Sequence, residues 1–399
     1  MLYGLGTWTV TCNCPQPPEY LPLMHPAHIA IDARNIRHPL SGIARSTLQL
    51  IRGIAQLASS RVVSVLCNSH AIMPQEILAS PSLKFIHVAG TPTNPADQLT
   101  LPRILHTLKV DLLHSTEAFV PLLPTNARKI ITIHDLIPLA CPQLLWNSSK
   151  AKYRFIFKKW LQMQCEVAAA VVTPSNYSAS DIQRMLGVPA GKITVIPSGC
   201  DLARGSIEPV GNILNKFALP QHYLLYAGRH DPYKNLVRLI QAFAKVIPQY
   251  PQPLALVIAG AADPRYLEAE AEVARLGLQN FVRFPGHVSD ADLLGLYMHA
   301  AAFVFPSLYE GQGLPPLEAM HLGVPVIASN GTAIPQSVGD AALLFDPTNI
   351  DAMAQAMSRV LTDQPLAAEL RQKGYQRAAQ CTVLRQAVEV FALYDRLLG

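Results

Sequence analysis

"FVFPSLYEGQGLPPLEAM" at residues 303–320 and "VVTPSNYSASDIQRML" at 171–186 share one plan: an apolar strand, a Pro-Ser turn and then a helix. Around both segments, short runs rich in Val and Ile alternate with longer amphipathic stretches. Strands that alternate with helices in this way favour parallel sheets built from βαβ units. The repeated plan therefore predicts two doubly wound α/β domains of similar size, with a boundary near residues 197–211.

Buried strands are predicted in both halves of the chain. In the first half they cover 28–34, 62–68, 84–90, 111–115, 129–135 and 168–175. In the second half they cover 223–229, 254–260, 282–288, 301–307 and 325–329. Ligands of such open sheets bind beyond the carboxyl ends of the strands, so two facing domains predict a cleft there.

The bulk composition is that of a folded two-domain protein. Of the 399 residues, 50% are hydrophobic and 15% are charged. The net charge of +5 suits an anionic ligand or an anionic membrane surface better than nucleic acid. The seven cysteines lack zinc-site spacing, and we expect a reduced, cytoplasmic protein. We expect neither a secretory signal nor a membrane span, because no basic start precedes an apolar run and no long uncharged apolar stretch occurs.

Two carboxylates, Glu310 and Glu318, follow the strand at 301–307. The glycines and prolines between them predict that Glu310 lies on a loop, that a helix begins near 315–316, and that Glu318 lies in its first turn. Supply of both carboxylates by one loop disfavours a glycosidase pair, whose members flank one bond. A helix N-terminus beside glycine-rich backbone favours two clamps on a phosphate-bearing ligand. A plain strand-to-helix connection is the alternative.

Two cations stand between the first strand of the second half and its helix. Arg229 and Lys234 follow "YAG" at 226–228, and the helix is predicted to begin near Asn235. Arg forks to phosphate oxygens and Lys acts as a point charge, so the pair suits a diphosphate. A solvated basic loop is the alternative.

Two positions in the first half lie where strands meet helices. His134, in "IHDLIPL" (133–139), follows a strand at its ligand-binding end, and a structural histidine is the alternative. Gly42, in "SGIARS" (41–46), opens the first helix without the full dinucleotide-binding glycine spacing. Its backbone suits close approach to a phosphate or an acceptor. Elsewhere, Asp290 and Asp292 form an Asp-x-Asp pair that fits a helix cap and first turn better than a metal site.

In this order, "VTPSNYSASDI", "GRHDPYKNL" and "YEGQGLPPLEAM" resemble retaining glycosyltransferases of family four, whose GT-B fold has two facing Rossmann-like domains with an interdomain cleft. "TIHDLIPL" with "DPRYLEAEAE" further resembles the branch that contains bacterial mannosyltransferases of surface-polysaccharide assembly. The resemblance implies an irregular extension over 1–27, an acceptor domain over 28–205 and a nucleotide-sugar domain over 206–380. A C-terminal helix over 381–399 would pack back toward the first domain.

The resemblance also implies residue roles. Glu310 would contact donor-sugar hydroxyls near the reacting carbon, and His134 would approach the sugar from the N-terminal domain. Arg229 and Lys234 would neutralise the diphosphate. The donor-binding residues would be Gly42, Val288, Gly311, Gly313, Leu314 and Glu318, with Glu318 on the ribose hydroxyls and Val288 near the base. Gln312 stands where the family often has Phe, which would add a polar contact to the site.

The implied reaction moves a hexose, with mannose from GDP-mannose as a candidate, from a nucleotide-diphosphate sugar to a glycan or lipid-linked acceptor. Front-face displacement with retention is expected, because no nucleophile stands out. We expect no metal, no cofactor and no nucleic-acid partner. An epimerase or phosphorylase on the same architecture, and a nucleotide-sugar-binding protein without turnover, are the alternatives.

The segment "SSKAKYRFIFKKWLQMQ" (148–164) combines five cations with aromatic residues. Helical spacing places Ile156, Trp160 and Met163 on one stripe, which Tyr153 joins. The stripe faces either the protein core, with the cations solvated, or an anionic membrane surface at the inner face of the membrane. Peripheral membrane contact is therefore one of the expected interactions.

Overall fold

The computed structural model describes residues 27–37, 41–57, 61–69, 71, 73–92, 94–201 and 210–399. The expected N-terminal extension, apart from residue 27, and the expected boundary between 205 and 206 lie outside these ranges. The strands are β1 (His28–Asp32), β2 (Val62–Cys67), β3 (Leu83–His87), β4 (Leu112–Ser115), β5 (Arg128–Thr132), β6 (Ala170–Thr173), β7 (Ile193–Val195), β8 (His222–Ala227), β9 (Leu254–Ala259), β10 (Val282–Gly286), β11 (Ala302–Phe305), β12 (Val326–Ser329) and β13 (Ala342–Phe345).

The α-helices lie between and after these strands. They are α1 (Gly42–Gln56), α2 (Gln75–Leu78), α3 (Asp97–Thr107), α4 (Ile137–Ala140), α5 (Ser149–Lys152), α6 (Arg154–Val167), α7 (Asn176–Asp181), α8 (Val210–Lys216), α9 (Leu236–Val246), α10 (Glu268–Leu276), α11 (Asp290–His299), α12 (Leu314–His321), α13 (Ile334–Val338), α14 (Ile350–Thr362), α15 (Gln364–Ala379) and α16 (Val383–Leu398).

The strands form two sheets in which every pairing is parallel. The first sheet has the order β3-β2-β1-β4-β5-β6-β7 and the second has the order β10-β9-β8-β11-β12-β13. This confirms the predicted α/β class with two doubly wound sheets. In each sheet the strand order reverses at a switch point, between β1 and β4 in the first and between β8 and β11 in the second. Ligand sites of such sheets lie outside the carboxyl ends of the strands at these points.

All the predicted strands are present, and the structure adds β7 and β13. Most predicted strands ran one to three residues too far at the carboxyl end, because the chain leaves the sheet there to form loops at the cleft. Short apolar runs cannot be assigned by periodicity alone, and the two strands that the sequence did not predict are of this kind, with three and four residues.

Helix α16 completes the core of the first domain. Ala387, Val390 and Leu393 are buried in one cluster with residues of α1 and of strands β1 and β2. Tyr394 adds a hydrogen bond of 2.6 Å between its hydroxyl and Nδ1 of His114 in β4. The last helix therefore packs on the first sheet, although it follows the second in the chain.

Ile156, Trp160 and Met163 all lie on α6 at the predicted helical spacing, but their exposure differs along the stripe. Tyr153 separates α5 from α6, and the ring of Trp160 turns inward to lie 4.4 Å from that of Phe119. Phe155 is 75% exposed and Ile156 is 71% exposed. The buried residues of α6 are instead Leu161, Gln164 and Cys165. The core-facing interpretation is therefore wrong for Ile156, while Trp160 on the same helix packs against the ring of Phe119.

Candidate active site

The loop after β11 carries Glu310 to the switch point of the second sheet. The Glu310 carboxylate accepts a hydrogen bond from Lys234 Nζ at 2.6 Å, and both side chains are about one-tenth exposed. Its backbone N–H donates to the hydroxyl of Thr332 at 3.0 Å. Glu310 is thus a fixed carboxylate with a cationic partner, held where two loops of the domain meet.

Lys234 comes from the loop between β8 and α9, and its neighbours fix it there. Asn235 adopts a left-handed conformation (φ 64°) and its amide donates to the carbonyls of Pro306 and Pro347, which ties this loop to the one after β11. The ammonium lies 5.3 Å from the centroid of the Phe305 ring. Burial is the largest influence on the pKa of Lys234 and lowers it, but Glu310, Tyr226 and Asp231 act together in the opposite direction and leave the pKa raised. The lysine is therefore a buried cation.

Arg229 is placed differently from Lys234. Its side chain is 57% exposed, and Nε lies 2.9 Å from Asp231 and Nη2 3.5 Å from Asp263. The two cations do flank the same loop, as the sequence predicts, but the arginine charge is shared with two carboxylates. Both cations are paired with carboxylates, but water screens the exposed arginine more than the buried Lys234.

Glu318 lies in the second turn of α12, not in the first as the sequence predicts. The helix begins at Leu314 because Gly313, at φ +98°, serves as its N-cap and lets the prolines occupy the first turn. The Glu318 carboxylate is buried and accepts a hydrogen bond of 3.1 Å from the hydroxyl of Tyr297. Burial raises its pKa, while the positive charge of Arg45 and the bond from Tyr297 partly offset the rise.

Arg45 is a site residue that the sequence did not single out. It projects from the first turn of α1, and its Nη2 lies 2.8 Å from Asp290 Oδ1 at the start of α11. The N-terminal domain thereby contributes a cation that interacts electrostatically with Glu318 and Tyr297 of the second domain. Its only sequence signal was its place one helical turn after Gly42.

Two of the predicted donor-binding residues, Gly42 and Val288, lie within three residues of Arg45 and Asp290, which pair across the domains. Gly42 opens α1 after its cap Ser41, and the position where a Cβ would stand faces open space. Val288 is half-buried against the hydrophobic core of the second domain, just before the cap of α11. Both therefore border the region between Arg45 and Glu318, and their contacts with a nucleotide stay a prediction.

The backbone of His134, rather than its ring, contacts the loop of residues 309–312 that carries Glu310. Its Nε2 donates to the carbonyl of Thr116 at 3.1 Å, and burial lowers the pKa of the ring. Its own carbonyl accepts from Ser178 at 3.2 Å and approaches Gly311 so closely that a Cβ on that glycine would lie 2.0 Å away. Direct contact between the ring and a sugar stays a prediction.

The side chain of Gln312 spans the two domains. Its Oε1 accepts from the backbone N–H of Ser198 at 3.0 Å and its Nε2 donates to the Ser198 carbonyl at 2.9 Å. The amide therefore joins the two domains, and an added polar contact from Gln312 to a bound donor stays a prediction. Gly311 and Gly313 lie in the turn that leads into α12 and Leu314 is the first residue of that helix, and their contacts with a donor stay a prediction.

Within the described ranges, no three His, Cys, Asp or Glu side chains come together as a metal site. The two carboxylates of the Asp-x-Asp pair have other partners: Asp290 pairs with Arg45, and Asp292 pairs with Lys216 at 2.6 Å and accepts from its cap residue Ser289. Among the same residues, none of the helices combines the length and apolar character needed to cross a membrane.

Known proteins resemble this chain in both sequence and fold. The family models Glycosyltransferase Family 4 and Glycosyl transferases group 1 match residues 40–204 and 214–377. O-antigen chain mannosyltransferase B of Escherichia coli is 32% identical over 82% of this chain and 89% of its own length. Serotype-specific mannosyltransferase WbdA of Escherichia coli is 26% identical over 93% of this chain, which spans only 48% of that longer protein. Sucrose-phosphate synthase from Thermosynechococcus elongatus superposes with a TM-score of 0.71 at 24% identity, over 93% of this chain and 99% of that one.

Proposed function

Because the chain belongs to glycosyltransferase family 4, we propose that it transfers a hexose, with mannose as the first candidate, from a nucleotide-diphosphate sugar to a glycan or lipid-linked acceptor. The observation that carries this proposal is the buried Lys234–Glu310 pair at the switch point of the second sheet. Lys234 suits the diphosphate, and Glu310 suits the hydroxyls of the sugar. Relatives named as mannosyltransferases support the choice of sugar.

The proposed reaction retains the configuration at the anomeric carbon. The bond from that carbon to the diphosphate oxygen breaks, and a bond to the acceptor hydroxyl oxygen forms on the same face. The hydroxyl proton passes to the departing diphosphate. Lys234 and the backbone N–H groups of Gly313 and Leu314, which precede the two prolines of α12, stabilise the negative charge that develops on the leaving group. Glu310 accepts hydrogen bonds from the sugar, and Glu318 accepts them from the ribose.

A donor screen tests the proposed function directly. A ligand that binds only the folded protein raises its melting temperature, so a thermal-shift series over GDP, UDP and ADP sugars identifies the nucleotide. The donor that stabilises most is then incubated with mannose-containing oligosaccharides, and the anomeric configuration of the product is read by NMR. A product of inverted configuration contradicts retention, and absence of both binding and transfer with every donor contradicts the proposed function.

Transfer is expected to survive EDTA. The charge on the diphosphate is met by side-chain cations in the proposal, and Asp290 and Asp292 already pair with Arg45 and Lys216. Initial rates are compared in buffer, in EDTA, and in EDTA followed by excess Mg²⁺ or Mn²⁺. If chelation abolishes transfer and either ion restores it, a metal supplies the Lewis acid and this part of the proposal is wrong.

We further propose that the surface around α5 and α6 rests on an anionic membrane, where a lipid-linked acceptor is found. The side chains of Tyr153, Phe155 and Ile156 are more than half exposed. The basic residues Lys152, Arg154, Lys158 and Lys159 are exposed beside them. Aromatic and aliphatic side chains that enter the interface, ringed by cations that meet lipid phosphates, are typical of peripheral attachment.

Wild-type protein is expected to sediment with vesicles containing anionic lipid at low salt. Lys158→Glu/Lys159→Glu should weaken this binding about tenfold or more, because each cation near an anionic surface contributes about 1 kcal/mol. Arg359→Glu/Arg371→Glu is the matched control, since it makes the same change in charge on exposed positions of α14 and α15. Equal losses in both variants would indicate an effect of net charge alone. Wild-type protein that stays in solution would contradict membrane contact and favour a soluble acceptor.

A further inference from the structure

The donor loop, Tyr309–Gln312, makes contacts with both domains in an alternating pattern. Glu310 faces Lys234 of its own domain, while the residues on either side of it hydrogen-bond to the N-terminal domain. The position of the Glu310 carboxylate therefore depends on contacts that its own domain does not supply.

Tyr309 makes the contact next to Glu310. Its hydroxyl donates to Oδ2 of Asp181, the last residue of α7, and both residues are 3% exposed. The other carboxylate oxygen of Asp181 accepts from Arg184, whose side chain is 68% exposed. The Tyr309 ring packs in a small cluster with Ile137 and other residues of the N-terminal domain. A buried phenol bonded to a carboxylate is a strong, charge-assisted contact across the cleft.

Gly311 and Gln312, the next two residues of the loop, also form hydrogen bonds with the N-terminal domain. Ser178 Oγ lies within hydrogen-bonding distance of the carbonyls of both Gly311, at 3.3 Å, and His134, at 3.2 Å. The Gln312 amide pairs with both backbone groups of Ser198. Hydrogen bonds on both sides of Glu310 thus fix the backbone from which its side chain projects.

We propose that Asp181 is a positioning residue, which acts through Tyr309 to hold Glu310 against Lys234 when the two domains meet. The inference rests on the proposed function, since it assigns a purpose to the placement of Glu310. A misplacement of about 1 Å at a catalytic group can lower a rate by about a hundredfold. Contacts that form only with the domains together would also keep the site unassembled while the cleft is open.

The contact is tested from both sides: Tyr309→Phe removes one hydroxyl without opening a cavity, and Asp181→Ala removes the buried carboxylate that accepts from it. Tyr309→Phe and Asp181→Ala are each expected to lower kcat about tenfold, with KM for the donor within about twofold of wild type, since the loss of one such hydrogen bond is worth about one factor of ten. Asp181→Asn keeps an oxygen that accepts from the phenol, so it should recover part of that loss. The double variant Tyr309→Phe/Asp181→Ala should be no slower than either single variant.

Tyr177→Phe is the matched control. The Tyr177 ring meets that of Tyr309 edge-on at 5.7 Å, so the same hydroxyl is removed from an adjacent aromatic residue that lies outside the proposed contact. It should keep wild-type kcat. If Tyr309→Phe equals this control, or if the losses in Tyr309→Phe and Asp181→Ala multiply in the double variant, Asp181 does not act through Tyr309.

Hydrogen exchange separates this inference from the proposed function, because it needs no sugar donor. Amides of residues 309–313 should exchange faster in Tyr309→Phe and Asp181→Ala than in wild type. In Tyr177→Phe they should exchange at the wild-type rate. Unchanged exchange in all three variants contradicts the positioning role of Asp181 even if transfer is observed. Faster exchange in the first two supports it even if the donor screen finds a different reaction.

Discussion

Lys234→Ala is expected to lower kcat by about a hundredfold to a thousandfold while KM for the donor stays within a few-fold of wild type. Negative charge on the diphosphate grows as the glycosidic bond breaks, so a cation beside it stabilises the transition state more than the bound donor. The ammonium of Lys234 is buried and its pKa is raised, which keeps the charge in place and little screened by water. Steady-state kinetics with one donor measure both constants.

Lys129→Ala is the matched control for this truncation. Lys129 is also buried, and its Nζ donates to the carbonyls of Pro121 and Leu123 at 2.7 Å, near the amino end of β5 and away from the cleft. It should lose stability but keep kcat in the folded fraction. Arg229→Ala should give a smaller fall than Lys234→Ala, because Arg229 is more than half exposed and water screens its charge. A normal kcat with only a raised KM in Lys234→Ala would indicate uniform binding and contradict the proposed role.

Glu318→Ala is expected to weaken nucleotide binding by about tenfold to a hundredfold, because hydrogen bonds to a charged acceptor are worth about 1.5–3 kcal/mol. The carboxylate is buried between Tyr297 and the charge of Arg45, so water cannot easily replace it. Calorimetric titration with the nucleoside diphosphate that stabilises best measures the loss. The nucleotide affinity of Glu318→Gln should fall between those of wild type and Glu318→Ala, because the amide oxygen still accepts hydrogen bonds but carries no charge.

Glu272→Ala separates a local effect at Glu318 from a general loss of stability. Glu272 is a buried carboxylate of the same domain, on α10, where Gln241 and Arg275 donate to it. Its removal should destabilise the protein and leave nucleotide affinity unchanged. Unchanged affinity in folded Glu318→Ala would remove Glu318 from the binding site.

The elements of the fold were predictable because their signals are local. Short apolar runs bounded by Pro and Gly mark β8 and β9, and the cap at Ser289 marks the start of α11 as the sequence predicts. The repeated strand-turn-helix plan was enough to predict two sheets. The exact start of α12 was not predictable, because it depends on Gly313 adopting a positive φ that only the surrounding loop imposes.

The candidate site was predictable where its residues follow strand ends, and not where they meet across the cleft. Lys234 and Glu310 were singled out because each stands just beyond the end of a predicted strand, where ligands of such sheets bind. Arg45 pairs with a residue 245 positions away, and Tyr309 with one 128 positions away. No periodicity or spacing records such distant pairings, and a single sequence offers no other trace of them.

The packing of α16 on the first sheet sets an order for how this protein can be made. The ribosome delivers residues 383–398 only after the whole second sheet has been synthesised, yet their side chains cover Ile54 and the neighbouring apolar residues of α1. Until then the first domain carries an uncovered apolar face, which is the kind of surface that chaperones bind and that promotes aggregation. We therefore expect the first domain to complete its folding last, although it is translated first.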